Sequence, residues 1–372
     1  MSHRIGLLLP RSTDYPSMGF DMLNGMRCQL ASNYRPTPEI VTENIGYGTD
    51  HALNYSRAEK LYLQDNVDAL VVYAGAAIAE SLYQLADTVH KPIIVLDPSM
   101  QVSSINPSNQ CFHISLQGIH ACRIAGQMAG TGNRRVLIAT SFYDGGYRGP
   151  WSYDRGLSEA GGSTCGNYVS GYKEAEFTID PYLGLLHQSN PSSVAACFSS
   201  YLAELFFKAL AEKKSEATPI PFYCSPFMAE EQLLSKCLFP GGEFYAVVPW
   251  LASLENSQQT QFKQALGTDK PVNIFHLLGW EAGIVLTQVA QQPVEMLQDF
   301  SYESPRGKVS FHPQTRCTYS PLYKCRITAD VNGKCTLEML DSINIDEDEH
   351  LKVMRDKPDA QVSGWRNNYL CI

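Results

Sequence analysis

The stretch from Asp68 to Ser99, DALVVYAGAAIAESLYQLADTVHKPIIVLDPS, limits the possible folds more than any other part of the chain. It reads as a strand at Ala69–Tyr73, a turn containing Gly75, a helix over about Ala76–Val89 and a second strand at Ile93–Leu96. Both strands are unbroken apolar runs. A strand with one wet face alternates apolar and polar residues, so unbroken runs call for helices on both faces and a parallel sheet. In such a sheet ligands meet the loops at the carboxyl ends of the strands. The places to look for function are therefore Tyr73, Ala74, Gly75 and Ala76 after the first strand, and Asp97-Pro98-Ser99 after the second.

The same unit recurs along the chain. Strands are expected at Ile5–Leu9 and Glu39–Ile45, with a helix from Met18 to about Tyr34 and another, capped by Asp50, to about Gln64. After a short strand at Cys111–Ser115 and a helix over about Gln117–Ala129, a fresh series starts at Arg135–Ser141. Strands near Cys165–Ser170, Val194–Phe198 and Phe222–Cys224 alternate there with helices near Pro181–Gln188, Tyr201–Glu212 and Met228–Cys237. Phe244–Pro249 reads as a further buried strand, followed by helices at Ser257–Leu266 and Phe275–Gln291. A chain of 372 residues exceeds what one core serves efficiently. The expected fold class is therefore α/β, with two doubly wound parallel-sheet lobes.

The tail changes character. Lys308–Phe311 is a short strand, and Tyr323–Thr328 with Lys334–Leu340 form a hairpin around Asn332-Gly333. A two-residue loop would set Cys335 opposite Asp330 and Cys325 opposite Leu340, which argues against a disulfide across the hairpin. The acidic run Asp346–Glu349 reads as a solvated tail.

Composition excludes several partners. A net charge of -9, a pI near 5.5 and no basic stripe argue against nucleic acid. The longest apolar runs are strand-sized, so direct membrane insertion is not expected. The first strand begins almost at Met1 with no leader before it. The expected location is periplasmic if a leader was trimmed, and cytoplasmic if the chain is native as given. Eleven cysteines at scattered spacings, with no C-x-x-C pair, read as small buried hydrophobes rather than a disulfide framework. Phosphate-loop, dinucleotide, zinc-protease and nucleophile-elbow motifs are all missing, so no cofactor and no metal are expected. His113 and His276 fall in apolar segments and read as structural.

What remains is a pattern at the strand tips. Ser12 and Tyr15, then Tyr73 with Ala74, Gly75 and Ala76, then Ser99, follow strands of the first series. Tyr147, Ser200 with Tyr201, and Ser225 with Phe227 follow strands of the second. Hydroxyls, aromatic faces and helix N-termini gathered at one edge of two sheets are the composition of a small-molecule cleft. The charged neighbours are Arg11, Asp14, Asp97, Asp144 and Arg148, and no pair of them demands acid–base catalysis.

The order of elements and several stretches resemble the type I periplasmic-binding-protein fold, in its leucine/isoleucine/valine-binding branch with amide- and urea-binding relatives. The stretches are IGLLLPRSTDYPSMGFDMLNGM, AEKLYLQDNVDALVVYAGAAIAES with KPIIVLDPS, YRG ahead of WSYDRGLSEAGG, CFSSYLAELFFKAL, GWEAGIVLTQ and PRGKVSFHPQTRCTYSPLYKCRI. The resemblance implies a three-segment hinge near Cys111–Leu116, Val248–Ser253 and Ser301–Gly307. Lobe 1 would comprise 1–115 plus 250–303, and lobe 2 would comprise 116–249 plus 304–372. It further implies closure on a ligand, with an ABC-transporter membrane component or a regulatory protein reading the closed form.

Carried over by position, the resemblance implies that Tyr73-Ala74-Gly75-Ala76 and Pro98-Ser99-Met100-Gln101 offer hydroxyls and amides, and that Tyr147 and Tyr201 offer rings. The acid expected near Pro226 to hold a ligand ammonium is replaced by Cys224-Ser225-Pro226-Phe227, and the hydroxyl expected near Ala76-Ala77 is missing. Both departures favour a neutral or aromatic ligand over an α-amino acid, an amide or a small planar molecule held among Tyr15, Tyr147 and Tyr201. The expected function is non-catalytic binding of an amino-acid-, amide- or aromatic-type molecule, as an ABC-importer component or a sensor. The alternatives are a two-lobed Rossmann-like group-transfer enzyme with Asp97 or Asp144 as base, and a receptor module that works through a protein partner.

Overall fold

The computed structural model of the chain describes residues 4–33, 36–103, 106–132, 134–146, 148–267, 271–292, 294–297 and 299–356. The first half runs β1 (Arg4–Leu9), α1 (Met18–Asn33), β2 (Glu39–Asn44), α2 (His51–Leu63), β3 (Ala69–Tyr73), α3 (Ala76–Val89), β4 (Ile93–Asp97) and β5 (Cys111–Ser115). Next come α4 (Gly118–Gly130), β6 (Arg135–Ser141), α5 (Arg148–Glu159), β7 (Ser163–Ser170), α6 (Asp180–Ser189), β8 (Ser193–Cys197), α7 (Ser200–Lys213) and β9 (Phe222–Cys224). The chain continues through α8 (Glu231–Leu234), β10 (Phe244–Val248), α9 (Ser257–Leu266) and α10 (Ile274–Val289). It ends with β11 (Ser301–Ser304), β12 (Gly307–Phe311), β13 (Thr318–Tyr319), β14 (Leu322–Ala329), β15 (Cys335–Ile343) and α11 (Glu347–Arg355).

Five parallel strands in the order β2-β1-β3-β4-β5 make the first sheet. The second has seven, ordered β15-β14-β10-β9-β8-β6-β7, parallel from β7 to β10 and closed by the antiparallel hairpin β14–β15. Every residue of β3, β4, β5 and β8 is buried, which is the physical content of their unbroken apolar sequences. This is the two-lobed α/β architecture expected from the sequence.

A small antiparallel sheet, β11-β12-β13, is bridged to β5 by pairing between His113 and Cys317. Polar contacts tie the strand exits together beside it. Arg306 Nη1 donates to Ser115 O at 2.8 Å, and Ser115 N donates to Thr318 Oγ1 at 2.7 Å. Gln117 Nε2 donates to Ser320 O at 3.2 Å while its Oε1 accepts from Ser320 N at 2.9 Å. Asn256 Nδ2 reaches Pro305 O at 3.0 Å, so the passage from β10 to α9 joins the same cluster.

Helices from distant parts of the chain pack where glycine allows. A Cβ placed on Gly279 of α10 would lie 1.9 Å from Met22 O of α1, and one on Gly25 would lie 2.1 Å from His276 O. Contact between the two backbones returns residues 274–289 to the first sheet. Gly126 and Gly156 do the same for α4 against α5.

Three local expectations differ from the structure. Val331–Gly333 form a loop of three residues, since Asp330 N donates to Lys334 O at 2.7 Å next to the Ala329–Cys335 pair. The Asp330 carboxylate accepts from Asn332 N and Lys334 N, and Gly333 adopts φ +74, which favours a bulged turn over the two-residue one. Cys325 therefore pairs with Met339, and the two cysteines remain apart. The helix expected at Met228–Cys237 shortens to Glu231–Leu234, because its end is drawn into pairing: Phe239 N donates to Gly333 O and Leu238 bridges Lys334. The acidic run is the first turn of α11, with the Asp346 side chain accepting from Glu349 N at 2.8 Å. Its carboxylates stand at the positive end of the helix, with Lys352 and Arg355 at the other. The ten cysteines among the described residues are all free.

Candidate functional site

The loops after β1, β3 and β4 carry the candidates of the first sheet. Ser12 Oγ accepts from Tyr15 N at 3.0 Å, fixing the turn that leads into α1. The buried Tyr15 and Tyr73 rings both pack edge-on against Phe275 of α10, at centroid distances of 5.3 and 6.5 Å. Burial holds the Tyr73 phenol well above its ordinary pKa, with Asp97 and Tyr143 adding to the shift. Ala74 N donates to Leu96 O, and Gly75 is the extended residue that begins α3. Ala76 lies on the wall of a cavity of about 380 Å³ that also meets Tyr83, Asp97, His113 and Cys317. There Tyr83 Oη and His113 Nε2 are 2.9 Å apart, and His113 Nδ1 and Asp97 Oδ2 are 3.2 Å apart. Asp97 Oδ1 also accepts from Ser99 N at 2.7 Å, holding Ser99 at φ +57.

Candidates of the second sheet follow β8 and β9. Ser200 opens α7 at φ +54, and its buried Oγ has no hydrogen-bond partner. Its neighbour Ser199 donates from N and Oγ to Asp144 at 3.1 and 2.6 Å, while Ser141 Oγ donates to the same carboxylate at 2.6 Å. Burial raises the Asp144 pKa to about 6 against the pull of these donors. Asp144 thus braces the loop after β6 to the loop after β8. Tyr201 donates its hydroxyl to Tyr172 O and borders an outer groove with Glu204 and Lys208. Ser225 is buried with Oγ 3.4 Å from Phe198 O. Phe227 lines a cavity of about 20 Å³, room for a single water, shared with Pro98, Gly118, Val248 and Trp250. Tyr147 lies outside the described residues.

The two sets of loops meet. Asp14 Oδ2, from the loop after β1, accepts from Tyr201 N at 3.2 Å at the start of α7. Arg148 N, at the start of α5, donates to Met100 O in the loop after β4 at 3.2 Å. A Cβ on Gly149 would lie 2.4 Å from Met100 Cε, and one on Gly118 would lie 2.8 Å from Met100 Sδ. The thioether thus seats between the first turns of α4 and α5. Pro98 of the first sheet faces Pro226 and Phe227 of the second across the small cavity. Loops leaving the carboxyl ends of both sheets therefore share one seam.

Sequence reasoning named Asp14 and Arg148 only as charged neighbours, named Met100 only for its backbone, and missed Tyr143 and Phe275. Phe275 carries no local signal, because it reaches Tyr15 and Tyr73 only through the packing of α10 on α1. Among the described residues no group of acidic, histidine and cysteine side chains could hold a metal ion. None of the described helices is long and apolar enough to cross a membrane.

A family model described as periplasmic binding protein matches residues 2–332. A search of curated protein sequences returns no match. Solved structures align over nearly all of the chain. An ABC transporter substrate-binding protein from Sphaerobacter thermophilus has a TM-score of 0.77 at 18% identity, covering 92% of this chain and 98% of its own. A Rhodopseudomonas palustris BisB5 solute binding protein in complex with 3,4-dihydroxybenzoic acid has a TM-score of 0.74 at 16% identity, covering 92% and 97%. The branched-chain amino acid transporter substrate binding protein LivJ of Streptococcus pneumoniae, in complex with isoleucine, has a TM-score of 0.68 at 12% identity, covering 91% and 99%. At these identities the structural likeness speaks for the fold, and the family match agrees with it over most of the chain. This chain belongs to the periplasmic binding protein family.

Proposed function

We propose that the protein binds a small organic molecule between its two sheets, closes on it without altering it, and presents it to the membrane component of an ABC importer. The observation that carries this reading is the shared seam, where the loops after β1 and β4 touch the first residues of α7 and α5. The moving bodies are those built on the five- and seven-stranded sheets, and the polar cluster around Ser115, Arg306 and Ser320 is their pivot. The similar solute-binding proteins support a ligand that is aromatic or an amino acid, since their structures hold 3,4-dihydroxybenzoic acid and isoleucine.

Between these classes the residues favour the aromatic type. The acids that line the small cavity with Phe227 are Glu230 and Glu231; the Glu230 carboxylate caps α8 through Gln232 N at 3.0 Å and Leu233 N at 2.9 Å, and Glu231 accepts from Ala252 N at 2.7 Å. An ammonium group would find no uncommitted anion there. Asp97 and Asp144, the bases an enzyme would need, are held by His113 and Ser99, and by Ser141 and Ser199. Importers of this kind receive their binding proteins in the periplasm, which is the location this reading assigns.

Thermal-shift measurement across aromatic acids, carboxamides, branched amino acids, sugars and nucleotides tests it. A ligand at 100 times its Kd stabilises the folded state by about 2.7 kcal/mol, enough for a clear rise in Tm. A rise with one non-nucleotide class is expected. A response to nucleotides alone would replace this reading with a group-transfer enzyme, and no response to any class would replace it with a protein-binding module.

A further inference from the structure

Arg148 stands at the start of α5, and its backbone N–H already bonds across the seam to Met100 O at 3.2 Å. Its guanidinium lies over the Trp151 ring at 4.8 Å, so one face of the planar fork is covered by an aromatic plane. Nε and Nη2 are buried, and neither has a hydrogen-bond partner. Buried donors of a permanent cation are costly unless an acceptor meets them. Burial pushes the group down to about 10, which leaves it charged at neutral pH.

The surroundings do not supply the acceptor. The acid that acts on Arg148 is Asp356, and its Oδ2 is engaged by Arg123 at 2.5 Å and by Arg155 at 3.2 Å. Glu159 is taken by Arg123 at 2.6 Å and by Lys352 at 3.3 Å. Four cations, Arg123, Arg148, Arg155 and Lys352, thus share three carboxylates, Asp356, Glu159 and the Glu349 that pairs with Lys352 at 3.8 Å, and Arg148 is the one left with buried donors to fill. No other charge noted near the strand tips has this character. Asp97 and Asp144 are satisfied from within, and Asp14 faces Tyr201 N.

We infer that Arg148 is the anchor for a carboxylate on the ligand, so that the protein selects organic acids over their neutral amides. The inference rests on the ligand-binding function proposed above and adds the ligand's charge to it. A carboxylate matches the two-donor fork in geometry and compensates its charge. Because Arg148 N is bonded to the loop of Met100, a ligand that orders the guanidinium also steadies the contact between the lobes.

Matched pairs provide the test: benzoate with benzamide, 4-hydroxybenzoate with 4-hydroxybenzamide, and 3-methylbutyrate with 3-methylbutanamide. Each is titrated calorimetrically into the wild type, Arg148→Met and Arg148→Lys, with thermal unfolding checked to show that both variants fold. In the wild type the acid of at least one pair should bind roughly 10- to 100-fold tighter than its amide, the range of a charge-assisted hydrogen bond. Arg148→Met should abolish that preference by weakening the acid far more than its amide, while Arg148→Lys keeps part of it. An acid preference that survives in Arg148→Met would overturn the anchor and leave ligand binding standing, as would amides that bind as well as acids in the wild type. Inorganic phosphate is the control for a free anion. If phosphate alone stabilises the wild type through Arg148 while the pairs show no preference, the site takes a free ion and the inference fails. Should no member of any pair bind, the binding function for such ligands falls, and this inference with it.

Discussion

Glu281 on α10 and Arg306 between β11 and β12 form an ion pair with no exposed surface on either side chain. Arg306 Nε and Nη2 meet Glu281 Oε1 and Oε2 at 2.7 and 2.8 Å, a two-point pairing, and the remaining Nη1 donates to Ser115 O at 2.8 Å. Ser304 Oγ at 2.5 Å and Tyr302 Oη at 3.3 Å complete the carboxylate's shell. Replacing Glu281 with Ala removes both guanidinium contacts and leaves a buried cation without a partner. Breaking a buried pair in this way costs about 3–5 kcal/mol. In a protein of this size such a loss lowers Tm by roughly 4–6 °C. The double variant Glu281→Leu/Arg306→Met removes the uncompensated charge and should recover most of the loss, since apolar replacement of a buried pair is often neutral. Urea unfolding followed by circular dichroism, with Glu281→Leu and Arg306→Met as the single variants, yields the four corners of the cycle. A single variant that loses less than about 1 kcal/mol, or a double no better than the single, would refute the view that this pair is the polar centre of the hinge.

Three further outcomes are expected. His120, His312 and His350 stack at 4.9 and 5.3 Å where α4, the β12–β13 turn and α11 meet, with Arg123, Glu347, Arg355 and Tyr319 beside them. Burial lowers His120 from 6.5 to about 4 and His350 well below its ordinary value, so the neutral rings stabilise the fold fully above about 6.5 and lose that contribution as pH falls toward 4. His120→Gln should flatten the fall of Tm over that range, and an unchanged slope counts against the cluster. Gly279→Ala forces a methyl against Met22 O and should cost about 1–3 kcal/mol by denaturant midpoint; a neutral result would mean that α1 and α10 can separate freely. Asp14→Ala removes the carboxylate at the N-terminus of α7 and should weaken closure by about 0.3–1 kcal/mol, seen as a larger radius of gyration by X-ray scattering. Scattering identical to the wild type would show that the contact does not hold the lobes together.

Much of the fold was legible because parallel strands advertise themselves. LVVY, IIVL and SVAAC have no polar alternation, so each had to be covered on both faces, and β3, β4 and β8 are wholly buried. Asp50 was readable as a cap for the same local reason, its carboxylate meeting Ala52 N and Leu53 N. The misses came where distant contacts outweigh local preference. The helix expected at Met228–Cys237 yields to pairing with Lys334 and Gly333, almost one hundred residues away. The acidic run is solvated as read, with Asp346, Glu347 and Asp348 exposed; the helix it opens went unread although Asp346 followed by three acids, with Lys352 and Arg355 later, is a local helix-start signal.

At the candidate site the division is sharper. Each strand's end and the small, hydroxyl or aromatic residues after it can be read from a local pattern, because burial and turn chemistry act within a few positions. Which of those ends face each other cannot. Asp14 meets Tyr201 across 187 positions, and Arg306 finds Ser115 across 191. These pairings are set by how α10 returns to α1 and how the chain crosses between sheets. Consecutive residues alone were enough for the two sheets and their polarity, since strand burial is written locally. Only the tertiary structure decided that Arg148 keeps buried donors to fill while Asp97 and Asp144 are satisfied, because satisfaction depends on partners that local sequence cannot name.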